Sequence, residues 1–154
     1  MRIALSGDHA GYEMKRDLAA TLEKRGHHVL DFGTHSTAPV DYPDCAESVA
    51  AAVRERRADR GIIVCGSGAG VSIAANKFPG IRAAVCHDCY TAHQAVEHDD
   101  MNVLCIGARV IGFALAQEIV GAFLDASFSG EERHQRRLDK ILAIESRHVG
   151  TAPR

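Results

Sequence analysis

Reactive side chains recur in this sequence directly after short apolar stretches. Cys65 and Ser67 belong to the run Cys65-Gly66-Ser67-Gly68-Ala69-Gly70, while Asp8-His9 and Arg109 follow two other stretches. Glycines let the backbone turn sharply and approach a ligand closely, so several N–H groups of this run can point at one spot. We expect an anion hole there, for a phosphate or for an oxyanion that develops during a reaction. The spacing alone also fits a tight turn that serves only packing.

Cys65 stands where its apolar stretch ends and the glycine run begins. A thiolate is favoured beside the positive end of a following helix, and it could act as a nucleophile or as a general base. The alternative is a buried cysteine with no chemical role. Val71 occupies the place of the third glycine of a dinucleotide fingerprint, and the Gly-Lys-Ser/Thr ending of a P-loop is missing, so neither motif fits.

Two histidines and two arginines are further candidates. The carboxylate of Asp8 can orient the neighbouring imidazole of His9 or share a proton with it, although it could equally cap the following helix. His98 stands at a predicted helix end, where a cationic imidazole is also favoured for structural reasons. Arg133 and Arg137 share one helix face, which suits either a phosphate clamp or a salt-bridged surface.

Cys86 and Cys89 form a Cys-x-x-Cys pair, a spacing that occurs in redox and zinc sites. A thioredoxin-like context and a second pair of ligands are missing from the sequence, which disfavours both functions. The five cysteines are an odd number in a chain of ordinary size, and this argues against a disulfide framework. We therefore expect free thiols, no metal ion and no cofactor.

Length and composition indicate one globular domain. The chain has 154 residues, of which 46% are hydrophobic and 25% charged, and its net charge is −2. These values exclude the disordered and coiled-coil classes and give no support for nucleic-acid binding. No apolar run approaches the roughly 18 residues of a membrane span, and the N-terminus does not resemble a secretory signal. We expect a cytoplasmic protein.

The elements that must position the candidates alternate between strand and helix. Short β-branched stretches predict strands, and apolar residues at 3.6-residue spacing predict helices. The predicted strands span 2–6, 28–32, 60–65, 81–86 and 103–106. The predicted helices span 12–25, 43–56, a segment from the glycine run to residue 77, 89–98, 112–124 and 133–148. The segment 112–124 is apolar on most sides, which predicts a buried helix.

This alternation predicts an α/β domain with one parallel sheet. Residues 62–64 are apolar without alternation, as in a strand that is buried on both faces. Ligands of such folds bind at the carboxyl ends of the strands, so the candidates that follow strands should meet at one edge. They are Asp8, His9, Asp41, Cys65, Ser67 and Arg109.

Six motifs, in this order and spacing, resemble those of the type B ribose-5-phosphate isomerases, a family that also includes galactose-6-phosphate isomerase subunits. The resemblance covers residues 2–148. The motifs are Gly7-Asp8-His9-Ala10-Gly11, Asp41-Tyr42-Pro43, Cys65-Gly66-Ser67-Gly68-Ala69-Gly70, Ile73-Ala74-Ala75-Asn76-Lys77, Asn102-Val103-Leu104 with Gly107-Ala108-Arg109, and Arg133-His134-Gln135-Arg136-Arg137.

The resemblance implies a Rossmann-like three-layer fold with a five-stranded parallel sheet, in one domain over residues 1–150. It also implies a homodimer or a dimer of dimers with active sites shared between subunits, and a C-terminal helix within 131–148 at the dimer interface. The implied reaction is the metal-free interconversion of D-ribose 5-phosphate and D-ribulose 5-phosphate through an enediolate, a step of the pentose phosphate pathway.

The resemblance also implies roles for individual residues. Cys65 would move a proton between C2 and C1, and Ser67 would help to move one between O1 and O2. Asp8 and His98 would assist sugar binding and ring opening, and backbone N–H groups of the glycine run would hold the enediolate. The implied substrate-binding residues, of which His9 and the three arginines would bind the phosphate, are His9, Tyr42, Gly66, Gly68, Ala69, Gly70, Asp99, Arg109, Arg133 and Arg137.

Two positions refine the resemblance. One subgroup of the family has a Glu base at the position of Val71 and lacks the cysteine, so this sequence resembles the cysteine subgroup. Asp99 departs from the usual Asn, and we expect its charge to alter the pH dependence or the substrate. Allose 6-phosphate, galactose 6-phosphate and a tetrulose phosphate are alternative substrates, and a non-catalytic phosphate- or nucleotide-binding module is an alternative of another class.

Overall fold

Five strands form one parallel sheet in the computed structural model, which describes residues 1–149. The predicted end of the domain at residue 150 therefore lies outside the described residues. The strands are β1 (Arg2–Gly7), β2 (His28–Asp31), β3 (Arg60–Cys65), β4 (Ala83–Val85) and β5 (Val103–Gly107). Their order across the sheet is β2-β1-β3-β5-β4, so β3 lies at the centre.

Six helices connect and follow the strands. They are α1 (Tyr12–Lys24), α2 (Tyr42–Arg54), α3 (Ala69–Ala75), α4 (Cys89–Asp99), α5 (Phe113–Asp125) and α6 (Glu132–His148). The predicted strands and helices are confirmed, with bounds that differ by at most two residues. β4 begins later than predicted because the backbone N–H of Arg82 donates to Oδ1 of the Asn102 side chain, at 2.8 Å, instead of to a strand.

The predicted three-layer α/β architecture is confirmed by the packing on the two sides of the sheet. Alternate residues of β3 face opposite layers: Ile62 and Val64 pack with α1, α4 and α5, and Ile63 and Cys65 pack with α2 and α3. Both faces of β3 are therefore covered, which explains its apolar sequence without alternation.

The helices α5 and α6 are only partly buried. α5 buries residues such as Ile119 and Phe123, but Leu115 on its other side is 38% exposed. The predicted buried helix is therefore confirmed on one face only, the face with which α5 packs against the sheet and its neighbouring helices. α6 buries only His134 and Leu138 among its residues. None of the helices within residues 1–149 is long and apolar enough to cross a bilayer.

Candidate active site

The glycine loop, residues 66–70, begins at the carboxyl end of the central strand. The sulfur of Cys65 accepts a hydrogen bond from the backbone N–H of Gly68 at 3.1 Å, and Cys65 is 5% exposed. Gly68 has a φ of +83°, and a Cβ on it would lie 3.2 Å from the backbone nitrogen of Gly107. Both its conformation and its closeness to β5 therefore require glycine.

His87 supports this loop from the neighbouring turn. Its Nε2 accepts a hydrogen bond from the backbone N–H of Gly107 at 2.9 Å, and a Cβ on Gly107 would lie 2.7 Å from the carbonyl oxygen of Ser67. The imidazole thus fixes the end of β5 against the glycine loop. His87 carries no signal for this role in the sequence, because only the folded chain brings it beside Gly107.

Asp8 and His9 lie in the loop after β1. Oδ1 of Asp8 accepts hydrogen bonds from the backbone N–H groups of Ala10 and Gly11, at 2.9 and 3.0 Å. The structural role that the sequence left open for Asp8 is therefore present, and its carboxylate is fixed. Nδ1 of His9 accepts a hydrogen bond from the N–H of Val40 at 3.3 Å, so the neutral ring carries its proton on Nε2.

Arg109 and Tyr42 flank the glycine loop. A Cβ on Gly66 would lie 3.6 Å from Nη1 of Arg109, and the backbone N–H of Arg109 donates to the carbonyl of Gly66 at 3.1 Å. A Cβ on Gly70 would lie 2.8 Å from the ring of Tyr42. The absence of a side chain on Gly70 lets the tyrosine ring approach the loop closely, whereas Arg109 lies at an ordinary van der Waals distance from Gly66.

The structure thus brings one set of predicted site residues together at the carboxyl edge of the sheet. We call this set the thiol group. Its members are Asp8, His9, Tyr42, Cys65, Gly66, Ser67, Gly68, Ala69, Gly70 and Arg109. A thiol, a hydroxyl, a carboxylate and two side chains that can bind an anion lie there around the glycine loop. This arrangement is suited to proton transfer on a phosphorylated substrate.

A second set of predicted residues lies elsewhere, and we call it the histidine group. His98 and Asp99 end α4, and Arg133 and Arg137 lie near the start of α6. The two elements meet where the rings of His98 and His134 approach to 4.0 Å between centroids. Nε of Arg133 lies 2.8 Å from Oε2 of Glu131, and both side chains are more than half exposed, so the surface ion pair considered from the sequence is present in the single chain.

The two groups lie on different sides of one chain. α4 returns from the carboxyl end of β4 to the start of β5, so His98 lies near the amino edge of the sheet, whereas Cys65 lies at the carboxyl edge. The edges are separated by the length of β5, roughly 15 Å at 3.3 Å per residue. α4 also packs on the face of the sheet opposite to the side chain of Cys65. A single chain therefore does not bring the thiol group and the histidine group together.

A buried ion pair stands behind the thiol group. Lys15 is 1% exposed, and its Nζ lies 2.6 and 2.7 Å from the two carboxylate oxygens of Asp31. Asp31 also accepts a hydrogen bond from the N–H of Gly33 at 2.9 Å, and Gly33 bonds through its carbonyl to the N–H of Gly7 at 2.8 Å. The pair therefore fixes the end of β1, from which Asp8 and His9 follow. Its lysine was not singled out in the sequence, since a lone Lys in a helix usually faces water.

The other cysteines are thiols without an evident chemical role. Burial raises the pKa of Cys86 to about 11, with a further contribution from the charge of Asp88. Burial also raises the pKa values of Cys45 and Cys105. All five cysteines are free. Within residues 1–149 no group of three or more His, Cys, Asp or Glu side chains could hold a metal ion, so Cys86 and Cys89 do not form part of such a site.

Comparison with known proteins gives close relatives over nearly the whole chain. The family described as Ribose/Galactose Isomerase matches residues 3–141. Ribose-5-phosphate isomerase B of Escherichia coli strain K12 is 49% identical over 146 residues, which are 95% of this chain and 97% of that protein. D-erythrulose-4-phosphate isomerase of Pectobacterium atrosepticum is 43% identical and covers 84% of this chain and 86% of its own length. The solved structure of Clostridium thermocellum ribose-5-phosphate isomerase B is 51% identical, with a TM-score of 0.94 over 96% of this chain and 99% of that one.

Proposed function

The chain belongs to the ribose/galactose isomerase family, and from that premise we propose that it interconverts D-ribose 5-phosphate and D-ribulose 5-phosphate through an enediolate. The observation that carries this proposal is the thiol of Cys65 at the mouth of the glycine loop, with its sulfur 3.1 Å from the N–H of Gly68. A base and a set of fixed N–H donors are what a carbon acid next to a carbonyl requires. A module that only binds phosphate or a nucleotide would need the loop but not the thiol.

In the proposed reaction Cys65 acts as the base. Its thiolate takes the proton from C2 of the open-chain aldose, and the electrons of that bond form the enediolate. The same proton then returns to C1, while Ser67 moves the hydroxyl proton between O1 and O2. Ser67 is exposed at the loop surface and its Oγ accepts from the N–H of Ala69 at 3.3 Å, which supports this role because the hydroxyl proton is left free to be donated.

The N–H groups of the loop are proposed to hold the enediolate oxygen. Fixed donors lower the free energy of a developing oxyanion without reorganising during the reaction. Gly66, Gly68, Ala69 and Gly70 contribute this backbone to the proposed substrate site, and the ring of Tyr42 covers the loop at Gly70. The same contacts would align C1 and C2 with the sulfur of Cys65.

The phosphate is proposed to bind between His9 and the arginines. Nε2–H of His9 and the guanidinium of Arg109 lie on the thiol group's side, and both can donate to a phosphate oxygen. Arg133 and Arg137 are proposed as the other half of the clamp, and binding energy from the phosphate would orient the reacting end.

Because His98, Asp99, Arg133 and Arg137 lie away from Cys65 in one chain, we propose that they complete the site of a second copy. The resulting homodimer, or dimer of dimers, would share its active sites between chains. The exposed apolar side chains of α6 support α6 as part of that interface, since Ile141 and Ile144 are 42% and 53% exposed. They line a groove of about 870 Å³ that also includes Asp99.

Another phosphorylated sugar is the second candidate substrate. Asp99 places a carboxylate where the family usually has an amide, and a relative 43% identical is named D-erythrulose-4-phosphate isomerase. A carboxylate near the sugar would favour a different hydroxyl pattern or chain length. Allose 6-phosphate, galactose 6-phosphate and a tetrulose phosphate therefore belong in the substrate comparison.

The deciding experiment is an isomerase assay with the purified protein on tetrose, pentose and hexose phosphates. We expect the highest kcat/KM with ribose 5-phosphate, in buffer that contains EDTA. A higher kcat/KM for a tetrose or hexose phosphate would make that sugar phosphate the proposed substrate instead. No turnover of any of them, or turnover only after a metal ion is added, would contradict the proposed chemistry of Cys65.

We further propose that the protein works in the cytoplasm, in the pentose phosphate pathway. The five free cysteines support a reducing compartment, because paired cysteines are usual in oxidising ones.

A further inference from the structure

A second imidazole lies directly beneath His98. The ring centroids of His98 and His134 are 4.0 Å apart and their planes are inclined by 31°. His134 is 1% exposed, whereas the side chain of His98 is 30% exposed. The accessible ring of His98 therefore rests against a buried ring.

Ser129 fixes the buried ring in place. Its Oγ lies 2.7 Å from Nδ1 of His134 and accepts a hydrogen bond from the N–H of Glu131 at 3.3 Å. The N–H of Ser129 donates to the carbonyl of Glu97 at 2.9 Å. One serine thus ties the start of α6 to the end of α4, and it sets the orientation of the His134 ring relative to His98.

The surroundings of His134 disfavour its charged form. Burial lowers its pKa first, and the positive charges of neighbouring groups lower it further, against one carboxylate that raises it. Nε2 of His134 is buried and has no hydrogen-bond partner among residues 1–149, so a proton added there would meet no acceptor. The titratable and charged groups around the two rings are Arg133 and Arg137 on α6, Glu131 before it, and His93, Glu97 and His98 on α4.

We propose that His134 is a positioning residue, whose buried ring, fixed by Ser129, holds the imidazole of His98 in the orientation needed for opening the sugar ring. This proposal rests on the function proposed above. In ring opening the C1–O4 bond of the cyclic sugar phosphate breaks, O4 takes a proton from His98, and the O1 hydroxyl gives its proton to Asp8. His98 can transfer a proton to O4 only if its ring plane points at that atom, and a ring free to rotate does so for a small fraction of the time.

The two rings differ in their surroundings. Two adjacent imidazoles that were both charged would repel each other, and the pKa of His134 is lowered. The carboxylate of Glu97 lies beside the other ring, with Oε2 3.6 Å from Nε2 of His98.

The test uses His134→Ala, with His98→Ala for comparison and His93→Ala as the matched control on the same helix. Turnover of ribose 5-phosphate, which is mainly cyclic, should fall about 10- to 100-fold in His134→Ala, the size expected from a misplaced catalytic group. Hydrogen exchange at C1 of ribulose 5-phosphate in D2O needs only the open chain, the glycine loop and Cys65, and it should stay within about twofold of wild type. His98→Ala should show the same split, and His93→Ala should change neither rate.

Equal losses in both assays would give His134 a merely structural role, and no loss in either would also overturn the proposal. A double variant, His98→Ala with His134→Ala, should be no slower on ribose 5-phosphate than His98→Ala alone, because one residue acts through the other. Additive losses would contradict this. If the wild type exchanges no hydrogen at C1, the double-variant comparison decides alone.

An NMR measurement separates this proposal from the proposed function. The His98 ring should give one set of sharp 15N and 1H signals in the wild type and lose order in His134→Ala and in Ser129→Ala. A wild type that isomerises none of the phosphosugars would contradict the proposed function, and the NMR result would still decide whether His134 orders His98. Unchanged order of the His98 ring in both variants would overturn the positioning role.

Discussion

Cys65 differs from the other buried cysteines in what surrounds its sulfur. Cys86, Cys45 and Cys105 have raised pKa values because burial disfavours their thiolates. The sulfur of Cys65 accepts an N–H from the glycine loop and stands at a strand end. Cys65 is thus the buried cysteine whose sulfur accepts a backbone N–H at the proposed substrate site.

Replacement of Cys65 by alanine should remove the chemistry and spare binding. We expect Cys65→Ala to lower kcat by about 10²- to 10⁴-fold, the usual loss for a missing general base. Affinity for an aldonic acid phosphate, measured by calorimetry, should change little, because the phosphate contacts lie on other residues. Cys89→Ala and Cys86→Ala are the controls, and both should leave kcat nearly unchanged. A Cys65→Ala enzyme that keeps more than about a tenth of wild-type kcat would exclude the thiol as the base.

Arg133 and Arg137 of α6 should contribute to substrate binding. Arg133→Ala or Arg137→Ala should cost about 2–4 kcal/mol of substrate binding, since each removes a charge-assisted contact to phosphate. The measured result would be a rise in KM of roughly 30-fold or more. Arg136, the exposed neighbour on the same helix, supplies the control Arg136→Ala. An unchanged KM in a folded Arg137→Ala protein would show that this face of α6 is an ordinary charged surface without a role in substrate binding.

At the scale of elements, the pattern of strands and helices was predictable from the sequence, but the side-chain contacts between these elements were not. The bounds of β3 and α1 follow from apolar spacing and from Gly26, which has a φ of +82° just beyond α1. The partners of Lys15 and His134 depend on segments that meet only after folding. The separation of His98 from Cys65 was implied by the return of α4 to β5, but a list of motifs in sequence order does not show it.

Breaking the buried pair of Lys15 and Asp31 should cost more stability when Asp31 is replaced than when Lys15 is replaced. Asp31→Asn leaves an ammonium group that is 1% exposed without a counter-charge, and we expect a loss of about 3–5 kcal/mol in the free energy of unfolding. Lys15→Met leaves a carboxylate that is 32% exposed and that water can solvate, so the loss should stay below about 2 kcal/mol. Urea unfolding at one fixed chain concentration measures both. Equal losses would contradict the argument that the difference in exposure between the two charges sets the cost of breaking the pair.

At the scale of the whole molecule, the two groups of site residues make a prediction about mixed assemblies. If each site takes its thiol group from one chain and its histidine group from another, a chain with Cys65→Ala and a chain with Arg137→Ala together form one intact site per mixed dimer. Co-refolding equal amounts should then recover about a quarter of wild-type activity, since half of the dimers are mixed and half of their sites are intact.

The control for this experiment mixes Cys65→Ala with Asp8→Ala. Both changes lie in the thiol group, so every site of the mixed dimer carries one of them and activity should not return. Recovery in this control, or none in the first mixture, would contradict sites that are shared between chains.

The largely uncovered side of α6 also bears on the fate of a newly made chain. Ile144 and Val149 are 53% and 55% exposed, and contiguous apolar surface in water favours aggregation. In the proposed assembly, the encounter that covers α6 is the same one that brings the histidine group to a glycine loop. A chain too dilute to find its partner is then both inactive and the form most open to chaperones and proteases. Quality control in the cell would thus remove idle copies and leave working ones.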